Sequence, residues 1–100
     1  MTQRLVVLPE AEDDIREAMR WYERRRRGLG AEFVGCIEAA VTRAAETPQA
    51  FEAWTESPRY RRVVVARFPY LVFFEMRPDT VEIVAVAHAS RAPGFWLARR

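Results

Sequence analysis

Two stretches with helical periodicity are separated by only Gly28-Leu29-Gly30, and no other feature restricts the fold so much. In the first, Ala11, Ile15, Ala18, Met19 and Tyr22 recur at spacings of three and four, which places them on one face of a helix. In the second, Phe33, Ile37, Ala40, Val41 and Ala44 do the same. A connection this short makes the two helices antiparallel neighbours. Charge agrees with periodicity. Pro9 suits a first helical turn, and Glu10, Glu12, Asp13 and Asp14 follow at the positive end of the helix dipole. Arg24-Arg25-Arg26-Arg27 stand at the negative end, and Gly28 supplies a stop. The second helix is expected from about Ala31 to Glu46, ending before Pro48.

The remainder reads as strands. Thr2 to Leu8 is a short apolar run stopped by Pro9. Residues 47–58 lack periodicity and are expected to form a loop with Phe51 and Trp54 tucked against the body. Tyr60 to Arg67, Tyr70 to Met76 and Val81 to His88 are three further strands, divided by Phe68-Pro69 and by Pro78-Asp79. If the second turn sets the register, facing residue numbers sum to 157. One sheet face then carries Tyr70, Val72, Phe74, Met76, Val81, Ile83, Ala85 and Ala87, and is assigned to the helices. The other carries Leu71, Phe73, Glu75, Glu82, Val84, Val86 and His88. A slip by one residue would exchange the faces. The Phe68-Pro69 turn likewise predicts Arg62 opposite Glu75. The fold class is therefore α+β: β-α-α-β-β-β in one domain over residues 1–100, an antiparallel helical hairpin on one face of a mainly antiparallel four-stranded sheet. The second face is expected to be partly open, and exposed Leu71, Phe73 and Val84 there would form a partner-binding surface.

Composition narrows the chemistry. The chain has sixteen basic residues, all arginine, and a net charge of only +2. Every cation is thus planar, permanently charged and suited to forked contacts with carboxylate or phosphate. One histidine and one cysteine cannot build an ordinary zinc site, and no cofactor or phosphate loop is indicated. The lone Cys36 forms no internal disulfide and suits a reducing cytoplasm. No run reaches the roughly 20 apolar residues of a membrane span, and Pro9 and Glu10 interrupt any signal pattern after four apolar residues.

Several ordered signatures resemble the RelE/ParE superfamily of toxins from type II toxin–antitoxin modules, closest to its ParE-like, plasmid-stabilisation branch. They are Trp21-Tyr22-Glu23, Gly28-Leu29-Gly30 with Phe33 following, Pro48, Arg67-Phe68-Pro69-Tyr70, and His88-x-x-Arg91-x-Pro93 with Trp96. The resemblance implies a cytoplasmic toxin in a hetero-oligomer with a cognate antitoxin. It also implies one of two targets: DNA gyrase, inhibited by binding, or the ribosome, where RelE-type members cut mRNA. A degenerate, non-toxic member is a third reading. RNA cleavage by 2′-hydroxyl attack needs a base, an acid and cations for the developing charge. His88, Arg91, Arg61 and Arg67 are the candidates. His88 and Arg91 serve equally well as a structural cap after the last strand, and the Arg24–Arg27 run as a helix-end complement or a contact to nucleic acid or an acidic antitoxin. RelE-type members use a carboxyl-terminal Tyr or His, where this chain has Phe95 and Trp96, which transfer no proton. The expectation is a gyrase binder, with Leu71, Phe73, Val84 and Trp96 on its partner face.

Overall fold

A computed structural model describes residues 4–91 and 94–99. The order is β1 (Arg4–Val7), α1 (Pro9–Arg25), α2 (Leu29–Glu46), a short 3-10 turn (Pro48–Ala50), β2 (Tyr60–Val64), β3 (Tyr70–Met76), β4 (Thr80–His88) and a second 3-10 turn (Phe95–Arg99). The strands lie in the order β1-β4-β3-β2, with β1 parallel to β4 and the other pairs antiparallel. This is the expected α+β arrangement. Thr2, the expected start of the first strand, lies outside the described residues, as does Pro93 of the last motif.

The helical hairpin is closed by a carboxylate that helix-dipole rules alone would not place there. Glu23 sits in the last turns of α1, among arginines. Its Oε1 and Oε2 accept the N–H of Gly28 at 3.1 and 3.0 Å, and Oε1 also accepts the N–H of Gly30 at 2.9 Å. Those N–H groups belong to the start of α2, where no residue of that helix is positioned to accept them. Glu23 therefore caps the following helix, and the negative charge sits at that helix's positive end. A side chain at Gly30 would collide with α1, because its Cβ would lie 2.9 Å from the Met19 carbonyl oxygen. The sequence Glu23…Gly28-Leu29-Gly30 is thus one joint: a carboxylate, the two amides it binds, and a glycine that lets the helices touch.

The apolar stripes of α1 and α2 pack on one side of the sheet, with Phe33, Ile37, Ala40 and Ala44 against Val63, Val72, Phe74, Val81 and Ile83, all buried. Phe68 is drawn into the same core and meets Tyr22 at 4.9 Å and Phe33 at 5.3 Å between ring centroids. That insertion changes the preceding turn. Val65 N–H donates to the Tyr70 carbonyl, so Ala66 to Pro69 form the whole connection. Arg67 takes φ 67°, a left-handed conformation that costs a non-glycine residue about 1–3 kcal/mol. The wider turn shifts the ladder from the expectation above: Arg62 faces Phe73, not Glu75, and Tyr60 faces Glu75. Glu75 is instead held by Arg59, at 2.6 Å, and by Arg77, at 3.3 Å. Strand β2 ends at Val64 rather than reaching Arg67.

The second departure lies between β3 and β4. Next to the Pro78-Asp79 turn the pairing is as expected, with Met76 opposite Val81 and Phe74 opposite Ile83. The register then shifts between Phe73 and Phe74, so that Phe73 faces Ala85 and Tyr70 faces His88, with Val84 left as an extra residue in β4. A bulge of this kind resets the alternation of side chains. Val84, Ala85 and Ala87 all lie on the second face, while Val86 joins the helix-side core. The expected placements of Ala85, Ala87, Val86 and His88 are therefore reversed, because one inserted residue exchanges every side chain beyond it.

The joint yields two predictions. The Gly28 and Gly30 amides, helped by Arg27, hold the Glu23 carboxyl below its ordinary range. A carboxyl depressed in the folded state stabilises above its unfolded value, and that contribution disappears as pH falls through the folded value. Glu23→Gln should therefore lower Tm at neutral pH, and its gap from the parent should close below about pH 4. An equal gap at both pH values would contradict the cap. Gly30→Ala should cost about 1–3 kcal/mol by overpacking against Met19, read as a fall in Tm of roughly 10 °C.

Candidate functional site

Strand β1 stops early because Pro9 begins α1, so it pairs β4 only from Thr80 to Ile83. Beyond that point the outer edge of β4 carries backbone groups that need other partners. Two side chains from distant parts of the chain supply them. Asp14 of α1 accepts the Val86 N–H at 3.0 Å, and Arg99 donates to the Val84 carbonyl at 3.2 Å. The two side chains also pair with each other in a fork, each contact 3.1 Å. Together they extend β1 with side chains, and they fix the 3-10 turn Phe95–Arg99 against the sheet.

That turn covers the second face. Trp96 is 1% exposed and packs on Phe73 at 4.9 Å, on Tyr60 at 4.8 Å edge to face, and on Trp54 at 5.7 Å. Trp54 arrives from the loop before β2, held by its N–H to the Tyr60 carbonyl at 2.7 Å. Gly94 turns the chain inwards with φ 76°, and a side chain there would meet Leu97 and Trp54. The face expected to be open is therefore closed by the chain's own tail. Phe73 and Val84 are 4% and 1% exposed, so neither they nor Trp96 is free surface; Leu71 alone of that set stays half-buried. The Trp96 indole N–H is buried with no acceptor among the described residues, a cost borne within the cover.

On the helix side, a cleft of about 300 Å³ opens between α1 and the end of β4. Glu17, Trp21, Tyr22 and Arg24 line one wall and Tyr70, His88 and Arg91 the other. The bulge is what turns His88 to this side, where its ring lies 5.2 Å from that of Tyr70. Its Nδ1 accepts the Ser90 N–H at 3.0 Å and lies 2.7 Å from Ser90 Oγ. The Arg91 N–H donates to the His88 carbonyl, and its guanidinium stacks 3.9 Å over Phe95. Burial and the neighbouring Tyr22 hydroxyl push the Tyr70 phenol up, so phenolate is disfavoured at neutral pH.

Of the proposed nuclease set, the fold brings only His88 and Arg91 together. Arg61 donates to the Phe51 carbonyl at 2.6 Å and pins the loop before β2. It faces Phe74, four residues along β3 from the partner of His88, or about 13 Å at the usual strand rise. Arg67 donates to Glu32 at 2.7 Å, which holds Glu32 below its ordinary value and helps to secure the strained turn. Asp14, Glu23 and Arg99 carry more of the architecture than the sequence reading assigned them. For Glu23 a signal existed: an acid in an arginine-rich last turn, just before Gly-x-Gly. For Asp14 it was an acid on the stripe of Ala11 and Ala18, both buried. Arg99 had none.

The fold and its covered sheet define a small α+β protein with a helical hairpin on one face, and the comparisons agree on what kind. The sequence model described as the ParE toxin of the type II toxin–antitoxin system parDE matches residues 5–93, and the chain belongs to that family. It is thus a type II toxin, with an antitoxin as its partner. A solved structure, described as the chromosomal ParDE toxin–antitoxin system from P. aeruginosa, has the same fold with a TM-score of 0.76 at 16% identity, over 89% of this chain and 98% of that one. No curated protein sequence matches the chain. No helix among the described residues is long and apolar enough to cross a membrane.

The Asp14–Arg99 anchor predicts coupling. Arg99→Ala should cost about 1–3 kcal/mol, as expected for charge-assisted hydrogen bonds, and should shift the emission of Trp54 and Trp96 to the red. Asp14→Ala should do much the same. Because the two act as one unit, the double variant should lose much less than the sum of the singles. Additive losses would show that the anchors are separate.

Proposed function

We propose that this toxin arrests growth by binding DNA gyrase in the cytoplasm rather than by cutting RNA. The observation that carries the reading is the engagement of the candidate catalytic groups in the fold itself. Arg61 is committed to a loop carbonyl and Arg67 to Glu32, which leaves only His88 and Arg91 together at the cleft. Where a RelE-type nuclease places its proton donor, Trp96 is buried as packing. A general acid–base site needs its groups within hydrogen-bond reach of one reacting centre, and these four do not converge. Membership of the ParE toxin family supports the same target.

The antitoxin is proposed to approach the side of the sheet that carries Leu71. It can reach Phe73, Val84 and Trp96 only if the Phe95–Arg99 turn lifts, so the exposed rim at Leu71 is the first contact. Leu71→Arg should weaken the toxin–antitoxin complex with little change in Tm, measured by titration calorimetry and thermal melts. Full affinity in that variant would place the antitoxin elsewhere.

For the target, the purified toxin should inhibit DNA supercoiling by gyrase, and His88→Ala should still arrest growth. Cleavage of ribosome-bound mRNA that disappears in His88→Ala would establish the nuclease instead. Normal growth on expression without antitoxin would mark a degenerate member.

A further inference from the structure

The arginine-rich end of α1 is more basic than helix capping needs. One or two cations suffice to complement a helix dipole, yet Arg20 and the whole run from Arg24 to Arg27 are exposed. Arg26 pairs with Glu32 at 3.3 Å, and Arg27 lies near Glu23. Arg20, Arg24, Arg25 and Arg91 have no carboxylate within ion-pair distance among the described residues. Trp21 projects from the same surface. It is 45% exposed, and the Arg25 guanidinium lies 4.1 Å from its ring centre. Glu17, Trp21 and Arg24 stand at spacings of four and three along α1, so they form one stripe along the wall of the cleft, with Arg91 and His88 opposite.

An exposed tryptophan among arginines that have no carboxylate partner among the described residues, beside a cleft lined by Tyr22 and Tyr70, combines the two elements that hold single-stranded nucleic acid. These are a cationic track for phosphates and ring faces for bases. We propose that this surface binds single-stranded DNA, with phosphates along Arg20, Arg24, Arg25 and Arg91 and one base stacked at Trp21 beside the cleft. Glu17 repels phosphate but can accept a hydrogen bond from a base N–H, such as thymine N3–H, which places the base rather than the backbone at its position. The choice of DNA over RNA rests on the gyrase reading above; binding of the strand itself does not.

The test uses the isolated toxin and a twelve-nucleotide oligodeoxythymidine, with no gyrase present. Trp54 and Trp96 are buried, so quenching on titration reports mainly Trp21. Binding should weaken with salt at a log–log slope of about −3, as for roughly four phosphate contacts on a single strand. Read by the anisotropy of a 5′-labelled oligonucleotide, which needs no reporter on the toxin, Trp21→Ala should weaken binding by about 5- to 150-fold, the range for loss of one stacked base. The double variant Arg24→Glu/Arg25→Glu should weaken it at least tenfold. All three side chains are exposed, so Tm should stay near that of the parent. Absence of quenching, or quenching that the double variant leaves unchanged, would overturn the proposal. Equal affinity for the matching duplex would refute base stacking, and tighter binding of oligouridine would refute the choice of DNA. Displacement by an acidic peptide at lower concentration than by the oligonucleotide would assign the surface to a protein partner instead. Gyrase inhibition retained in a double variant that no longer binds DNA would separate this surface from the toxin's target. Loss of gyrase inhibition alone would leave the oligonucleotide result standing.

Discussion

The early end of β1 is the constraint on which the other contacts depend. Pro9 cannot continue a ladder, so β4 loses its parallel neighbour after Ile83. The strand answers with an extra residue at Val84 on one side and with Asp14 and Arg99 on the other. The bulge places His88 beside Tyr70 and puts Val84, Ala85 and Ala87 under Trp96 and its aromatic neighbours. The anchor brings Arg99 over the same edge and so determines where the tail lies. The parallel pairing thus ends where the bulge and the Asp14–Arg99 anchor begin, and those two features shape the cleft and close the second face.

The sequence was legible where a period of 3.6 or 2 ran unbroken. Strand Tyr70–Met76 falls where its alternation predicts, and the helical hairpin follows from two apolar stripes and a three-residue joint. The misreadings trace to a two-residue shift in one ladder, a one-residue bulge in the next, and a cover built from distant segments. Phe68, drawn between Tyr22 and Phe33, lengthens a turn that looks tight and moves Arg62 away from Glu75. Val84 carries no local mark of a bulge, since Val81 to Ala87 would suit a regular strand equally well. The cover over the second face was illegible for a similar cause. Phe95 and Trp96 transfer no proton and Trp96 is expected on a partner face, but Trp96 packs on Tyr60 at the start of β2 and on Trp54, which belongs to the 47–58 segment with no periodicity to place it.

The two sides of the sheet divide the work. On one, the aromatic cover makes a second small core, with Leu8, Leu71 and Phe95 half-buried at its edge. On the other, the cleft gathers the exposed aromatic and cationic side chains of α1 around His88. Arginine without lysine suits this division. The same residue type locks loops at Arg61 and Arg99, braces a strained turn at Arg67, and stacks on rings at Arg25 and Arg91. A flexible ammonium does none of these as well.

The Asp14–Arg99 contact joins residues 85 positions apart, and it has a consequence for the order of assembly. Chains emerge amino end first, so the hairpin and all four strands leave the ribosome before residues 95–99 do. During that interval Phe73, Val84 and Tyr60 stand uncovered beside an edge of β4 that still lacks Arg99. The toxin is therefore at its stickiest before residues 95–99 have docked, and a partner already present would meet a warmer welcome from that chain than from the closed one.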